Sequence, residues 1–321
     1  MEAVIRAPAD GLRVSAVLPT RNRPAHALQC VCSILTNHDL LELVVVDQSD
    51  DDTTEKSLRA LADERMRYVR SELRGVTNGR NVGIDITTGD IIAWTDDDCR
   101  VPSDWISRIA HIFSTDPDAA VVCGRVHVPA EIYAKGFAVG FEPEVRDWRG
   151  RFPPPNHDWG LTANLAVRRD VLQQVGRFDP LLGAGAPLRS GGEPDFLFRV
   201  LRAGLKVVNA REVEVTHLGV RTSGAETRAL ISAYGTGISA ALVKHVRLGD
   251  FDAVLLYVRW IAWFASVISR NAIRGTRPLG ARFALSFLSG TRQSFRFGID
   301  RKRRMYLPHR EPLSARFRRR W

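Results

Sequence analysis

Three consecutive carboxylates, Asp96, Asp97 and Asp98, follow the apolar run Ile91-Ile92-Ala93-Trp94 in the stretch WTDDDC. Aspartates two apart where a strand opens into a turn can face one side, and carboxylates gathered in a cleft repel one another until a cation relieves them. Oxygen donors favour a hard divalent ion, Mg2+ or Mn2+, over zinc. The plainer use of the same residues is a turn that caps a helix starting near Pro102-Ser103. A second acidic stretch, VVVDQSDDD over 44–52, ends a β-branched run with Asp47. That carboxylate suits a hydrogen bond from a base or ribose, while Asp50 to Asp52 can cap the next helix. A third group, Glu193-Pro194-Asp195, comes after the glycine-rich GAGAPLRSGG. An acid in a helix's first turn behind a mobile loop suits a general base that meets an incoming hydroxyl; helix-dipole pairing explains the same residues without chemistry. His217 closes the alternating VEVTH, a place where a lone histidine is more often structural.

These groups need elements to position them. LRVSAVLP over 12–19 reads as a strand, a helix follows from about Pro24, and LELVVVD over 41–47 is too continuously apolar for a half-exposed strand. A polar stretch then enters another helix, MRYVR over 66–70 gives a short strand, a helix starts near Val76, and DIIAWTDDDC gives a further strand. Regular alternation of this kind predicts a doubly wound α/β sheet, broken by a loop-rich, hairpin-like region over 125–160. Ligands of such sheets bind outside the carboxyl ends of the strands, which is where Asp47 and Asp96 to Asp98 fall.

The matching stretches VSAVLPTRNR (14–23), LVVVDQSDDDT (43–53), GRNVGI (79–84), GDIIAWTDDDC (89–99), GLTANLAVRRDVLQQVGRFD (160–179), GGEPDFLFRVLRAG (191–204) and VEVTH (213–217) together resemble the family 2 group of inverting nucleotide-sugar glycosyltransferases. The resemblance runs over roughly residues 12–235. It implies a GT-A fold, a mostly parallel sheet flanked by helices with a C-terminal helical extension, and a nucleoside-diphosphate sugar as donor, UDP-sugar favoured. In that pattern Pro19, Thr20 and Arg21 shape the loop under the nucleotide, Asp47 accepts from the base, Arg80 lies near the nucleotide, and Asp96 and Asp97 sit by the ribose or sugar. Asp98 and His217 hold Mn2+ or Mg2+. The family's base belongs to a Glu-Asp pair, and alignment on Asp195-Phe196 and Arg199 puts Glu193 at the second acid and Gly192 at the first. Glu193 is therefore the expected base, with Asp195 the alternative in a different register. Trp159 and Asn164 are expected on the side of a sugar or lipid-linked acceptor.

The 321 residues suffice for one large domain or two modest ones, expected as a catalytic part over 1–240, an apolar helical extension over 241–291 and a basic tail over 292–321. The net charge of +10 is concentrated in that tail, which carries eleven Lys or Arg against Asp300 and Glu311. FDAVLLYVRWIAWFASVISR over 251–270 is strongly apolar but has Arg259 at its centre, short of a confident span. With the tail it predicts peripheral contact with an anionic membrane surface on the cytoplasmic side. Its LYVRW has leucine where the processive branch carries glutamine, so transfer of a single sugar is expected. No apolar run bounded by a cleavage-like site occupies the first 25 residues, and four scattered cysteines suit a reducing cytoplasm. A sugar-phosphate nucleotidyltransferase would want a glycine-rich loop where PTRNRPAH has none, and basic residues interleaved with aromatics are limited to RFRRRW, weak support for specific nucleic-acid binding.

Overall fold

The computed structural model describes residues 11–144, 147–150, 152–154, 159–273 and 280–308. The chain begins with β1 (Val14–Thr20), α1 (Pro24–Leu35), β2 (Leu40–Asp47), α2 (Thr53–Arg59), β3 (Met66–Arg70), α3 (Val76–Ile86) and β4 (Ile91–Trp94). The alternation expected from the sequence is present element by element. Next come β5 (Cys99–Arg100), α4 (Trp105–Thr115), β6 (Ala119–His127), α5 (Ala130–Tyr133), β7 (Trp148–Arg149), a 3-10 turn at Thr162–Asn164, β8 (Leu165–Arg168), α6 (Arg169–Val175), α7 (Gly192–Arg202) and β9 (Lys206–His217). Three long helices, α8 (Gly224–Arg247), α9 (Phe251–Ile273) and α10 (Ala281–Ser294), precede a hairpin of β10 (Gly298–Asp300) and β11 (Met305–Leu307).

The main sheet runs β3-β2-β1-β4-β8-β6-β9-β5, with β7 also on β9. β1, β2, β3 and β4 are mutually parallel and β6 is parallel to β9, while β8 runs against both its neighbours. The sheet is mixed and mostly parallel. β1 and β2 are buried along almost their whole length because helices cover both faces, which is why their sequences are continuous apolar runs rather than alternating ones. The largest core lies around this sheet, with Trp94, Trp105, Phe113, Phe178 and Phe196 fully enclosed.

Two expectations about organisation change. A boundary at 240 would cut α8, which is continuous from Gly224 to Arg247 and packs against α7, α9 and α10. The catalytic half and the helical extension therefore share one element. The basic stretch from 292 is also not uniformly a tail: it completes α10 and then folds as the β10–β11 hairpin, whose Tyr306 is buried and donates its backbone N–H to Asp179 at 2.8 Å. Residues 309–321, and 145–146, 151 and 155–158 of the loop-rich region over 125–160, lie outside the described residues.

Candidate active site

A cavity of about 420 Å³ opens past the carboxyl ends of β1 and β4, and all three acids of the trio line it. β4 stops at Trp94, and the chain turns through the acids into β5, which pairs antiparallel with the end of β9 so that Cys99 lies opposite His217. The Leu218 N–H closes the turn on the Asp98 carbonyl at 2.8 Å. This register, set by backbone pairing, brings the Asp98 carboxylate to 3.3 Å from His217 Nε2. From the other side Arg23, at the start of α1, reaches Asp97 at 2.9 Å and Asp98 at 3.1 Å, and the Thr20 hydroxyl donates to Asp97 at 2.8 Å. Burial alone would raise the Asp98 carboxyl, but the hydrogen bond and charge of His217, then Arg23 and Arg221, bring it down to about 2. His217 rises in turn, with Asp98 outweighing the burial that lowers it. Asp96 and Asp97 go the other way, raised by desolvation against the pull of Arg80 and Arg23 respectively.

Arg80 ties the trio to the expected base. Its side chain, 3% exposed, leaves α3 to place Nη2 at 3.2 Å from Asp96 and Nη1 at 3.3 Å from Glu193, with the guanidinium 5.7 Å from the Phe178 ring centroid. Glu193, in the first turn of α7, also accepts from the Thr162 hydroxyl at 2.5 Å. A carboxylate held by two donors with its remaining lone pairs toward a cavity can take a proton from a bound hydroxyl.

The residues around Asp98 fit a divalent ion. Asp98, Cys99 and His217 offer donor atoms within 4.8 Å of one another. Burial, and then the neighbouring acids, push the Cys99 thiol well above its ordinary value, so it stays protonated and is a poor ligand for a hard ion. The space in front of the other two donors is kept open by Gly219: a Cβ there would lie 2.4 Å from Asp98 Oδ2 and 2.9 Å from His217 Nε2. One carboxylate and one imidazole facing such a space leave an ion free to take its other ligands from phosphate oxygens and water.

Residues 15–176, just over half of the chain, match the family model described as glycosyl transferase family 2. The chain belongs to that family. It is 26% identical over 200 residues to the glucosyl-dolichyl phosphate glucuronosyltransferase of Haloferax volcanii, covering 56% of this chain and 60% of that one. Against glycosyltransferase AglE of the same organism the identity is 26% over 212 residues, 64% of this chain and 66% of the relative. Against the succinoglycan biosynthesis protein ExoM of Rhizobium meliloti it is 26% over 214 residues, covering 60% and 62%. The chain thus spans about three-fifths to two-thirds of the length of these relatives. Among solved structures, a Pyrobaculum calidifontis mannosyltransferase in complex with GDP-Man and Mn2+ superposes with a TM-score of 0.58 at 19% identity, over 91% of this chain and 86% of that one. Staphylococcus aureus TarS 1-349 superposes with a TM-score of 0.53 at 14% identity, over 90% and 94%. The fold of this family 2 chain is GT-A.

Of the site residues expected from the sequence, Pro19, Thr20, Arg21, Arg80, Asp96, Asp97, Asp98, Glu193 and His217 all line the one cavity. Four do not. Asp195 is fully buried with its carboxylate closed by Lys244 at 2.6 Å, His245 at 2.8 Å and Arg199 at 3.1 Å, so it has no route to an acceptor and is not an alternative base. Asn164 is also buried, taking the Trp105 indole N–H at 2.9 Å and donating to the Arg125 and Val213 carbonyls at 2.8 Å each; it braces the sheet rather than facing an acceptor. Trp159 packs on Phe152 between the two main cores, away from the cavity lining. Asp47 has no exposure, and its oxygens already accept from the Ser49 N–H at 2.8 Å, the Ser49 hydroxyl and the Tyr68 hydroxyl at 2.7 Å. Gln48, the next residue, lines the cavity instead.

Sequence reasoning missed Arg23, Thr162, Arg189 and Arg221, and it missed that Leu230, Ala233 and Tyr234 of α8 form a wall of the cavity. Arg23 and Thr162 stand inside the motifs TRNR and GLTAN, so their signal was present but unassigned. The α8 wall had none, because α8 reaches the site through packing with α7. Gly191 and Gly237 make that approach possible: a Cβ on Gly191 would lie 2.3 Å from the Gly237 carbonyl oxygen. The glycine-rich segment before α7, expected to be mobile, is folded on itself, with Gly183 N–H on the Ser190 carbonyl at 3.1 Å and Leu188 N–H on the Leu181 carbonyl at 3.0 Å.

Proposed function

We propose that this family 2 chain transfers one sugar, with inversion, from a nucleoside-diphosphate sugar to an acceptor hydroxyl. A UDP-sugar is the favoured donor, and the acceptor a sugar or lipid-linked sugar used in glycolipid or cell-surface polysaccharide synthesis at the cytoplasmic face of a membrane. The observation that carries the reading is the placement of Glu193 and the Asp98–His217 pair on one cavity, linked through Arg80 and Asp96.

Glu193 accepts the proton of the acceptor hydroxyl as its oxygen attacks the anomeric carbon on the face opposite the leaving diphosphate, so one displacement inverts that centre. Thr162 and Arg80 hold the carboxylate in place for this. Asp98 and His217 would hold Mn2+ or Mg2+, which supplies Lewis-acid neutralisation of the diphosphate. Arg189 and Arg221 also line the cavity, and among the described residues neither has a carboxylate within ion-pair distance. Their charge is available to phosphate oxygens. Phe137, whose backbone pairs with that of Arg221, and Leu161, Leu230, Ala233 and Tyr234 add an apolar lining suited to the face of an acceptor sugar or the start of a lipid. Support for a donor of this class also comes from the mannosyltransferase solved with GDP-Man and Mn2+, and for a lipid-linked acceptor from the dolichyl phosphate relative.

The test is Glu193→Gln assayed across UDP- and GDP-sugars with Mn2+ present. Transfer falls about 10²- to 10⁴-fold, the usual range for a lost general base, while nucleotide-sugar binding persists. Transfer at near the wild-type rate would remove Glu193 from the role.

A further inference from the structure

α9 has two apolar faces, and the protein uses only one. Ala253, Leu256, Trp260 and Phe264 are buried against Phe198 of α7, Leu242 of α8 and Phe287 of α10, with Trp260 stacked on Phe283 at 5.6 Å and on Phe287 at 5.7 Å. On the opposite side Phe251, Val254, Leu255, Val258, Ile261 and Ile268 stand exposed, Phe251 by 77%. At about 100° per residue these positions form one stripe along the helix. α10 continues the pattern, with Leu285, Leu288 and Phe295 exposed by 69%, 53% and 64%.

The charges on this surface have one sign. Exposed Arg259 and Arg270 lie on one flank of the α9 stripe, three turns apart, and exposed Arg282, Arg292 and Arg296 are interleaved with the apolar residues of α10. Asp252 is the single acid in either helix. Among the described residues none of the five arginines has a carboxylate within ion-pair distance. Apolar side chains interleaved with unpaired cations are the chemistry of a helix lying in an anionic headgroup layer, where the apolar groups enter the acyl boundary and the arginines reach phosphates.

We propose that the outward face of α9 and α10 docks on an anionic lipid bilayer, with both helices in the plane of the surface. By length and composition Phe251–Arg270, with a mean hydropathy of 1.6, could cross a membrane. Spanning would strip Trp260 and Phe264 from the aromatic cluster that joins α9 to α10, whereas lying flat keeps that cluster and covers the exposed stripe. A second copy of the chain is a poorer occupant, because a two-fold contact through this face sets five arginines against five arginines. The docking surface stands independently of the transferase reading.

Flotation of the full chain with vesicles of phosphatidylglycerol and phosphatidylcholine, against phosphatidylcholine alone, tests it. The expected result is flotation with the anionic vesicles that partly persists at 0.5 M NaCl and drops at least about tenfold for Leu255→Glu/Val258→Glu, a variant that retains nucleotide binding and its thermal transition. Two results would overturn the proposal. One is unchanged flotation of that variant, which would assign binding to the Arg-rich segment after 308. The other is no flotation together with a concentration-dependent dimer that the variant abolishes, which would assign the face to a second copy.

Discussion

Glu193 and Asp195 are two residues apart in the first turn of α7, and they belong to acidic clusters built in opposite ways. Residues two apart on a helix point about 200° away from one another. Glu193 turns into the cavity with Asp96, Asp97 and Asp98, where among the described residues four carboxylates share Arg23, Arg80 and His217 within ion-pair distance. Asp195 turns inward to a sealed cluster in which every acid is paired with a protein cation. Lys244 bridges Asp195 and Asp179 at 2.6 and 2.7 Å, and Asp250 is held by Arg202 at 2.6 Å, by Arg304 and by His245. One cluster is complete as folded; the other faces a cavity that Arg189 and Arg221 also line without a carboxylate within ion-pair distance among the described residues. An acid's function here follows from whether the chain itself supplies its counter-charge.

The sealed cluster also fixes the open one. Lys244 and His245 of α8 grip α7 two residues from Glu193, and Tyr306 of the hairpin bonds Asp179. The C-terminal helices are thus part of the scaffold of the site. Lys244→Met should have the largest effect, since removing one partner of a buried pair leaves unpaired charge and costs about 3–5 kcal/mol. Urea unfolding would measure it, and a loss under about 1 kcal/mol would mean the cluster relaxes without its lysine.

The pH dependence separates the clusters next. Burial would raise Asp195, but Lys244, Arg199 and His245 hold its carboxyl far below the usual range. A depressed carboxyl contributes stability that is present above its unfolded pKa of about 3.9 and is lost as pH falls below that toward the folded value. Stability of the wild type should therefore fall more steeply with acid below about pH 4 than that of Asp195→Asn, followed by denaturant midpoints against pH. Parallel slopes would contradict the assignment. The smallest effect belongs to Thr162→Val, which keeps shape and removes one hydrogen bond from Glu193. A bond of that kind is worth about 0.5–1.5 kcal/mol, so kcat falls roughly 2- to 12-fold while the unfolding midpoint hardly moves. An unchanged kcat would show that Arg80 alone orients the base.

The acidic trio of the open cluster was legible in the sequence because its chemistry is local: three acids after an apolar strand mark the carboxyl end of β4, and the periods of the flanking segments give the α/β alternation, whereas Glu193, Arg80 and His217 were joined to it by the family resemblance. The sealed cluster was not, because Asp195, Lys244, Asp250 and Arg304 are joined only by tertiary packing. The same cause misassigned Asn164 and Asp47. Their sequence positions are those of site residues, but buried neighbours, the Trp105 indole for one and Ser49 with Tyr68 for the other, already use their hydrogen-bonding capacity. The apolar character of α9 could be read directly, yet which of its faces is spent on Phe283 and Phe287 required the fold.

Asp98 and His217 would present an incomplete set of ligands to a divalent ion that holds a nucleoside diphosphate. Calorimetric titration of UDP and GDP into the wild type and Asp98→Asn, with and without Mn2+, tests it most directly. Nucleotide binding by the wild type should depend on Mn2+ and weaken at least about tenfold in Asp98→Asn. Equal binding by both proteins, indifferent to the metal, would contradict it.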